Sequence, residues 1–127
     1  MLAAAQMTGL NGVDRVNLGP HAAALLDELR RAAAASMPLA VTVLAATLID
    51  VVAHEEAGPA GVIDGVDFAY AGNKAALGWL RGRRNTILHH EGPADGLMGE
   101  VGADSWQWQD ANRAVEALLA YLEDVTV

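Results

Sequence analysis

Residues 39–53 read LAVTVLAATLIDVVA, a run in which Asp50 is the single charge. The residues are apolar or small nearly all round a helical wheel, and a helix of that kind is normally the central, most enclosed one. Ser36, two residues before Pro38, is a start signal, and Gly58-Pro59 is a stop, so the spacing predicts a helix over 38–56. The flanking sequence supplies the helices that would enclose it. Upstream, Gly19-Pro20 opens a helix over 20–35, because proline suits a first helical turn. There Ala22, Leu25, Leu26, Leu29 and Ala33 mark the buried face, while Asp27, Glu28, Arg30 and Arg31 face water.

Downstream, Asn73 caps a helix expected over 73–91, which ends at Gly92-Pro93. Asp104 or Ser105 caps the last one, 104–124, in which Trp108, Ala111, Val115, Leu118, Leu122 and Val125 keep 3–4 spacing. Two glycine-rich loops, GPAGVIDGVDFAYAG (58–72) and ADGLMGEVGA (94–103), separate the later helices. The expected fold is therefore all-α, an antiparallel four-helix bundle forming one domain over 19–127. Residues 1–18 carry Gly9 and Gly12 without sustained periodicity and read as an arm or a short irregular helix.

A chain of 127 residues falls within the range of one domain. It contains no cysteine, which excludes disulfides, a thiolate nucleophile and a cysteine-based zinc site. The N-terminal MLAAAQMTGLNG has no basic residue before its apolar part, unlike a secretory signal, and the longest uncharged apolar run, Met37 to Ile49, is short of a membrane span. A cytoplasmic protein without membrane contact is expected. The net charge of −8 argues against non-specific nucleic-acid binding by the whole surface. Yet four of the eight basic residues, Lys74, Arg81, Arg83 and Arg84, lie within eleven positions, and any anion would be met there.

On the 73–91 helix, Leu77, Leu80, Ile87 and Leu88 fall on one face, with Arg84 in its middle. A guanidinium there needs an anion or a wet cleft, because an unpaired buried charge is very costly. Asn85 and His89, four residues apart, share a flank beside Arg84, and five residues of helix put His89 about 7.5 Å further along the axis. Histidine suits proton transfer near neutral pH, and arginine grips phosphate oxygens in a fixed fork. Plainer readings stand beside this one. Arg84 can simply pair with Asp50, and His89 can be a helix-terminal histidine favoured by the macrodipole. His90 can take the place of His89. Trp79, Trp106 and Trp108 read as core or dimer contacts rather than base-stacking platforms. His54-Glu55-Glu56 and His89-His90-Glu91 lack the paired Glu-x-x-His pattern of di-iron bundles, so no metal and no other cofactor is expected.

Arg84-Asn85-Thr86-Ile87-Leu88-His89 resembles the Arg-Asn-x-x-x-His form of the Arg-x(4–6)-His motif of the HEPN superfamily, the higher eukaryotes and prokaryotes nucleotide-binding domains. The likeness covers roughly residues 20–125 as architecture and these six as motif. Many members of that superfamily are metal-independent endoribonucleases, often toxins or defence proteins, whose motifs meet across a dimer. The resemblance implies His89 as general acid or base, Arg84 as stabiliser of charge on the phosphorus oxygens, and Asn85 as orienting group. The other basic residues of that stretch, Arg81, Arg83 and Lys74, are the expected phosphate or RNA contacts, with Asp50 and His90 in support. The implied products end in a 2′,3′-cyclic phosphate and a 5′-hydroxyl, and the implied partners are RNA or a nucleotide, a second copy of the chain, and a cognate inhibitor protein. The alternative it leaves open is a non-catalytic module binding RNA, a nucleotide or a protein. Toxins regulated by a partner nucleotidyltransferase commonly carry tyrosine two residues after the histidine, where this chain has Glu91.

Overall fold

The computed structural model describes residues 1–57, 62–63, 66–67, 73–90 and 92–125. Among them the regular structure is helical apart from one two-residue antiparallel pairing, Val62–Ile63 (β1) against Val66–Asp67 (β2). That pairing falls in the first glycine-rich loop, most of which lies outside the described residues. Among the described residues there are five α-helices where four were expected: α1 (Ala4–Asn11), α2 (Pro20–Ala34), α3 (Pro38–Ala57), α4 (Lys74–Leu88) and α5 (Ala103–Val125).

The additional helix is α1, followed by a 3-10 turn at Arg15–Asn17. Its sequence carries little amphipathic signal, and tertiary contacts hold it instead. Leu2 and Leu10 are buried in the same core as the other helices. At its start, the Ala3 N–H donates to Asn112 Oδ1 at 2.7 Å. At its end, the Arg30 guanidinium donates to the carbonyls of Leu10, Asn11 and Val13. Arg30 was expected to face water. It is half-buried instead, because the last carbonyls of a helix lack intrahelical donors and a cation is the favoured group there. Gly9 packs against α5, where a Cβ would run into Leu119. With Ala3 beside Asn112 and Gly9 beside Leu119, α1 and α5 run in the same sense.

In the turn between α2 and α3, Ser36 has a different role from the expected start signal. Its φ is +58°, its N–H donates to the Ala33 carbonyl at 3.3 Å, and the next N–H, Met37, donates to Ala32 at 3.0 Å. These are the two bonds of a Schellman closure, so Ser36 ends α2 rather than starting α3. Met37 supplies the first carbonyl of α3 to the Val41 N–H, and Pro38 opens that helix as expected. The two helices are antiparallel, and the far end of α3 returns to the start of α2. There the Glu55 carboxylate accepts from the N–H groups of His21 (3.2 Å) and Ala22 (2.7 Å). Gly19, the α2 cap, makes room for that carboxylate, which a side chain at this position would displace.

α3 touches α2, α4 and α5, and buries Val41, Thr42, Ala45, Ala46, Leu48, Ile49 and Val52. By length and composition its stretch Pro38–Glu55 is apolar enough to cross a membrane, with a mean hydropathy of 1.5. In this fold that apolar character meets α2 through Ala22, Leu26 and Leu29, α4 through Leu77 and Leu80, and α5 through Ala111, Val115 and Leu118. α4 and α5 are antiparallel, since Arg83 meets Asp110 while Trp79 meets Arg113.

Ser36 is exposed and carries the left-handed conformation that glycine adopts without a steric cost. Ser36→Gly is expected to stabilise the protein by about 1 kcal/mol, read as a higher urea midpoint at unchanged slope. An unchanged or lower midpoint would mean that the closure does not limit stability.

Candidate nucleic-acid interface on the fourth helix

Asn73 caps α4 as expected, its side chain accepting from the Ala76 N–H at 3.1 Å. The helix then runs only to Leu88, not to Glu91. His89 is its C-cap, with extended φ and ψ of −129° and 127°, and only its N–H keeps a helical bond, to the Asn85 carbonyl at 2.9 Å. The wheel that set His89 beside Asn85 therefore stops one residue short of the histidine. Leu88, expected on the buried face, is exposed for the same reason: no later turn continues that face. His90 is exposed beyond the helix, and Glu91 lies outside the described residues.

The three arginines of α4 take different directions. Arg84 reaches α3, where its Nη1 donates to Asp50 Oδ2 at 2.5 Å, with the Arg84 side chain 20% exposed. Arg81, one turn earlier, stands 3.6 Å from the other oxygen of the same carboxylate and is 56% exposed. One acid thus faces two guanidinium groups, and this small patch keeps a net positive charge on a chain that is otherwise acidic. Beneath the pair lies a small recess lined by Ala46, Ile49, Leu77 and Leu80.

Arg83 turns the other way, into the seam with α5. Its Nε donates to Asp110 Oδ2 at 2.6 Å, and its Nη2 donates to the Asp95 carbonyl. At 12% exposure it is the most enclosed of the three. The sequence had marked Arg84 as the cation on the apolar face and grouped Arg83 with the surface contacts. In the fold Arg83 is the inner brace, because α5 supplies an acid, Asp110, at the depth where Arg83 emerges. The spacing along α4 alone gave no sign of that acid. Lys74 stands exposed at the opposite end of α4, fourteen residues and about 21 Å of helix from Leu88.

The aromatic residues divide as well. Trp108 is in the core, Trp79 is half-buried under the Arg113 guanidinium at 4.0 Å, and Trp106 is exposed. Of the histidine–acid clusters, His54 Nδ1 sits 2.7 Å from the Asp50 carbonyl and Glu55 caps α2. No group of three or more His, Asp or Glu among the described residues is placed to hold a metal ion.

The structure thus brings Asp50, Arg81 and Arg84 together, leaves Asn85, His89 and His90 exposed at the end of α4, and sets Arg83 and Lys74 apart from them. No family model matches the chain, and neither the curated proteins nor the solved structures give a match.

The two arginine pairs should differ in stability. Breaking a well-enclosed pair leaves an uncompensated buried charge and costs about 3–5 kcal/mol, the expectation for Arg83→Ala. Arg84→Ala leaves Asp50 with solvent and Arg81, so a loss of about 1–3 kcal/mol is expected. Urea unfolding of both variants checks the order, and equal losses would refute it.

Proposed function

We propose that the chain is a metal-independent endoribonuclease of HEPN type, acting as a cytoplasmic homodimer in which the ends of two α4 helices meet over one phosphate. The observation that carries this reading is the arrangement at the end of α4. Arg84 is anchored by Asp50, while the side chains of Asn85 and His89 are exposed and make no hydrogen bond among the described residues. The helical character of the described residues agrees with the all-α bundles of that superfamily.

In this reading His89 removes the proton from a ribose 2′-hydroxyl, and that oxygen attacks the adjacent phosphorus. The bond from phosphorus to the 5′-oxygen breaks, and the leaving oxygen takes a proton from an acid, the equivalent histidine of the second copy. Arg84 and Arg81 face the non-bridging oxygens as negative charge builds on them. Asp50 fixes the guanidinium of Arg84 before RNA arrives, which lowers the ordering cost of binding. Asn85 orients the phosphate or the histidine. The products are a 2′,3′-cyclic phosphate and a 5′-hydroxyl, and no step calls for a metal ion.

A second reading has its own support. His89 has no carboxylate or carbonyl holding its ring among the described residues, and catalytic histidines are usually oriented by such a group. A module that holds RNA or a nucleotide through Arg81 and Arg84 without cutting it needs no oriented imidazole.

The deciding experiment incubates the wild type and His89→Ala with labelled single-stranded RNA in EDTA. Cleavage by the wild type alone, leaving cyclic-phosphate ends, is the expected result. Inactive wild type on RNAs of varied sequence would sink the nuclease reading. Salt-sensitive RNA binding lost in Arg84→Ala would then support the module.

A further inference from the structure

Asp50 holds a third group besides the two arginines. Its carboxylate takes Arg84 and Arg81, and its backbone carbonyl takes His54, whose Nδ1 stands 2.7 Å away. A carbonyl oxygen only accepts, so Nδ1 carries the proton, and the neutral ring keeps its lone pair on Nε2. Asp50 and His54 are four residues apart on α3, so they share a face, and the His54 side chain leans back over the Asp50 turn. His54 is exposed, and its Nε2 makes no hydrogen bond among the described residues. An oriented imidazole with a free acceptor thus stands one turn of α3 from a carboxylate that holds two guanidinium groups.

The helix directions set the order of these groups along the seam between α3 and α4. Glu55, near the end of α3, caps the start of α2, and Leu18, just before α2, lines one cavity with Leu122 and Glu123 near the end of α5. The ends of α3 and α5 therefore lie at the same end of the bundle, and α4, antiparallel to α5, is antiparallel to α3 as well. His54 then lies toward the start of α4 and His89 at its end, with Arg81, Asp50 and Arg84 between them. A strand whose phosphate is held by the two arginines passes one histidine on each side. Guanidinium groups suit phosphate oxygens, whereas an acceptor such as Nε2 needs a donor. The donor that a sugar–phosphate backbone carries is the ribose 2′-hydroxyl, which DNA lacks. We propose that His54 Nε2 accepts a hydrogen bond from the 2′-hydroxyl of a nucleotide flanking the phosphate held by Arg81 and Arg84, and so selects RNA over DNA. That sugar is a neighbour of the one on which His89 would act. The inference rests on the patch holding a phosphate, which both readings above share.

The test measures binding of dye-labelled oligoadenylates of one length to the full chain, on the His89→Ala background so that cleavage does not compete. The RNA, DNA and 2′-fluoro forms differ at the 2′ position alone, and the 2′-fluoro form keeps a ribose-like pucker without an O–H donor. RNA is expected to bind about fivefold tighter than the other two, the contribution of one hydrogen bond. Adding His54→Ala or His54→Asn should bring RNA down to the DNA value and leave DNA binding unchanged. The asparagine amide can still donate to the Asp50 carbonyl, so a His54 that only braces α3 would show no loss in that variant. Arg84→Ala should weaken all three forms alike. The inference alone is overturned if the 2′-fluoro form matches RNA, if the RNA preference survives both His54 changes, or if those changes weaken RNA and DNA equally. Should no form bind at roughly 1 mM, the patch holds no phosphate, and the inference falls together with the readings it rests on.

Discussion

A helix that is apolar nearly all round needs neighbours on several sides, and α3 sets that requirement for the whole chain. α2, α4 and α5 cover it from different directions and leave Val43, Leu44, Thr47 and Val51 half-buried. The one carboxylate within the run, Asp50, then needs a cation from whichever helix lies over it. Arg84 answers that need, so the position where hydrophobic patterning breaks down on α4 is explained by the position where it breaks down on α3. Two local exceptions are one interaction. The pair holds a guanidinium in a fixed place near the surface, which is a structural role and a prerequisite for a phosphate-gripping role at once. For that reason the ion pair alone does not choose between the two.

The acid–arginine logic recurs on the other side of α4 with a different result. Arg83 and Asp110 meet where α4 and α5 run antiparallel, and the spare donor of Arg83 goes to the loop that joins them. The pair therefore does not present charge outward. It fixes the loop, and the fixed loop displays Met98 and Val101. Neighbouring arginines in the sequence thus serve different neighbours: Arg84 and Arg81 keep a positive patch against α3, while Arg83 is neutralised in the seam with α5. A helix turns about 100° per residue, so arginines at 83 and 84 cannot share a direction, and their partners decide what each face becomes.

Much of this was legible in the sequence. The enclosed second helix of the original four, the proline openings at 20 and 38, the Asn73 cap and the apolar stripe of α5 all follow from periodicity and capping chemistry. Most of the departures share a cause, because they depend on a partner distant in the chain, whereas Ser36 departs locally. α1 is held by Arg30 and Asn112 rather than by its own pattern. Ser36 carries a capping residue's identity but occupies a helix-closing conformation, and serine at φ +58° has no signature of its own. Arg30 and Arg83 look like solvated charges until the carbonyls and carboxylate that receive them are known.

The end of α4 is where sequence spacing reached its limit most directly. A position for His89 beside Asn85 requires a continuous helix, and the helix stops at Leu88. The consequence is chemical as well as geometric. On a helix, a histidine would have a direction fixed by the backbone. As an extended C-cap with an exposed ring, its direction is set by whatever it meets. A single copy of the chain therefore holds Arg84 in place, through Asp50, and leaves the direction of the His89 ring open. In the proposed ribonuclease, that orientation is what RNA or a second copy of the chain would have to supply.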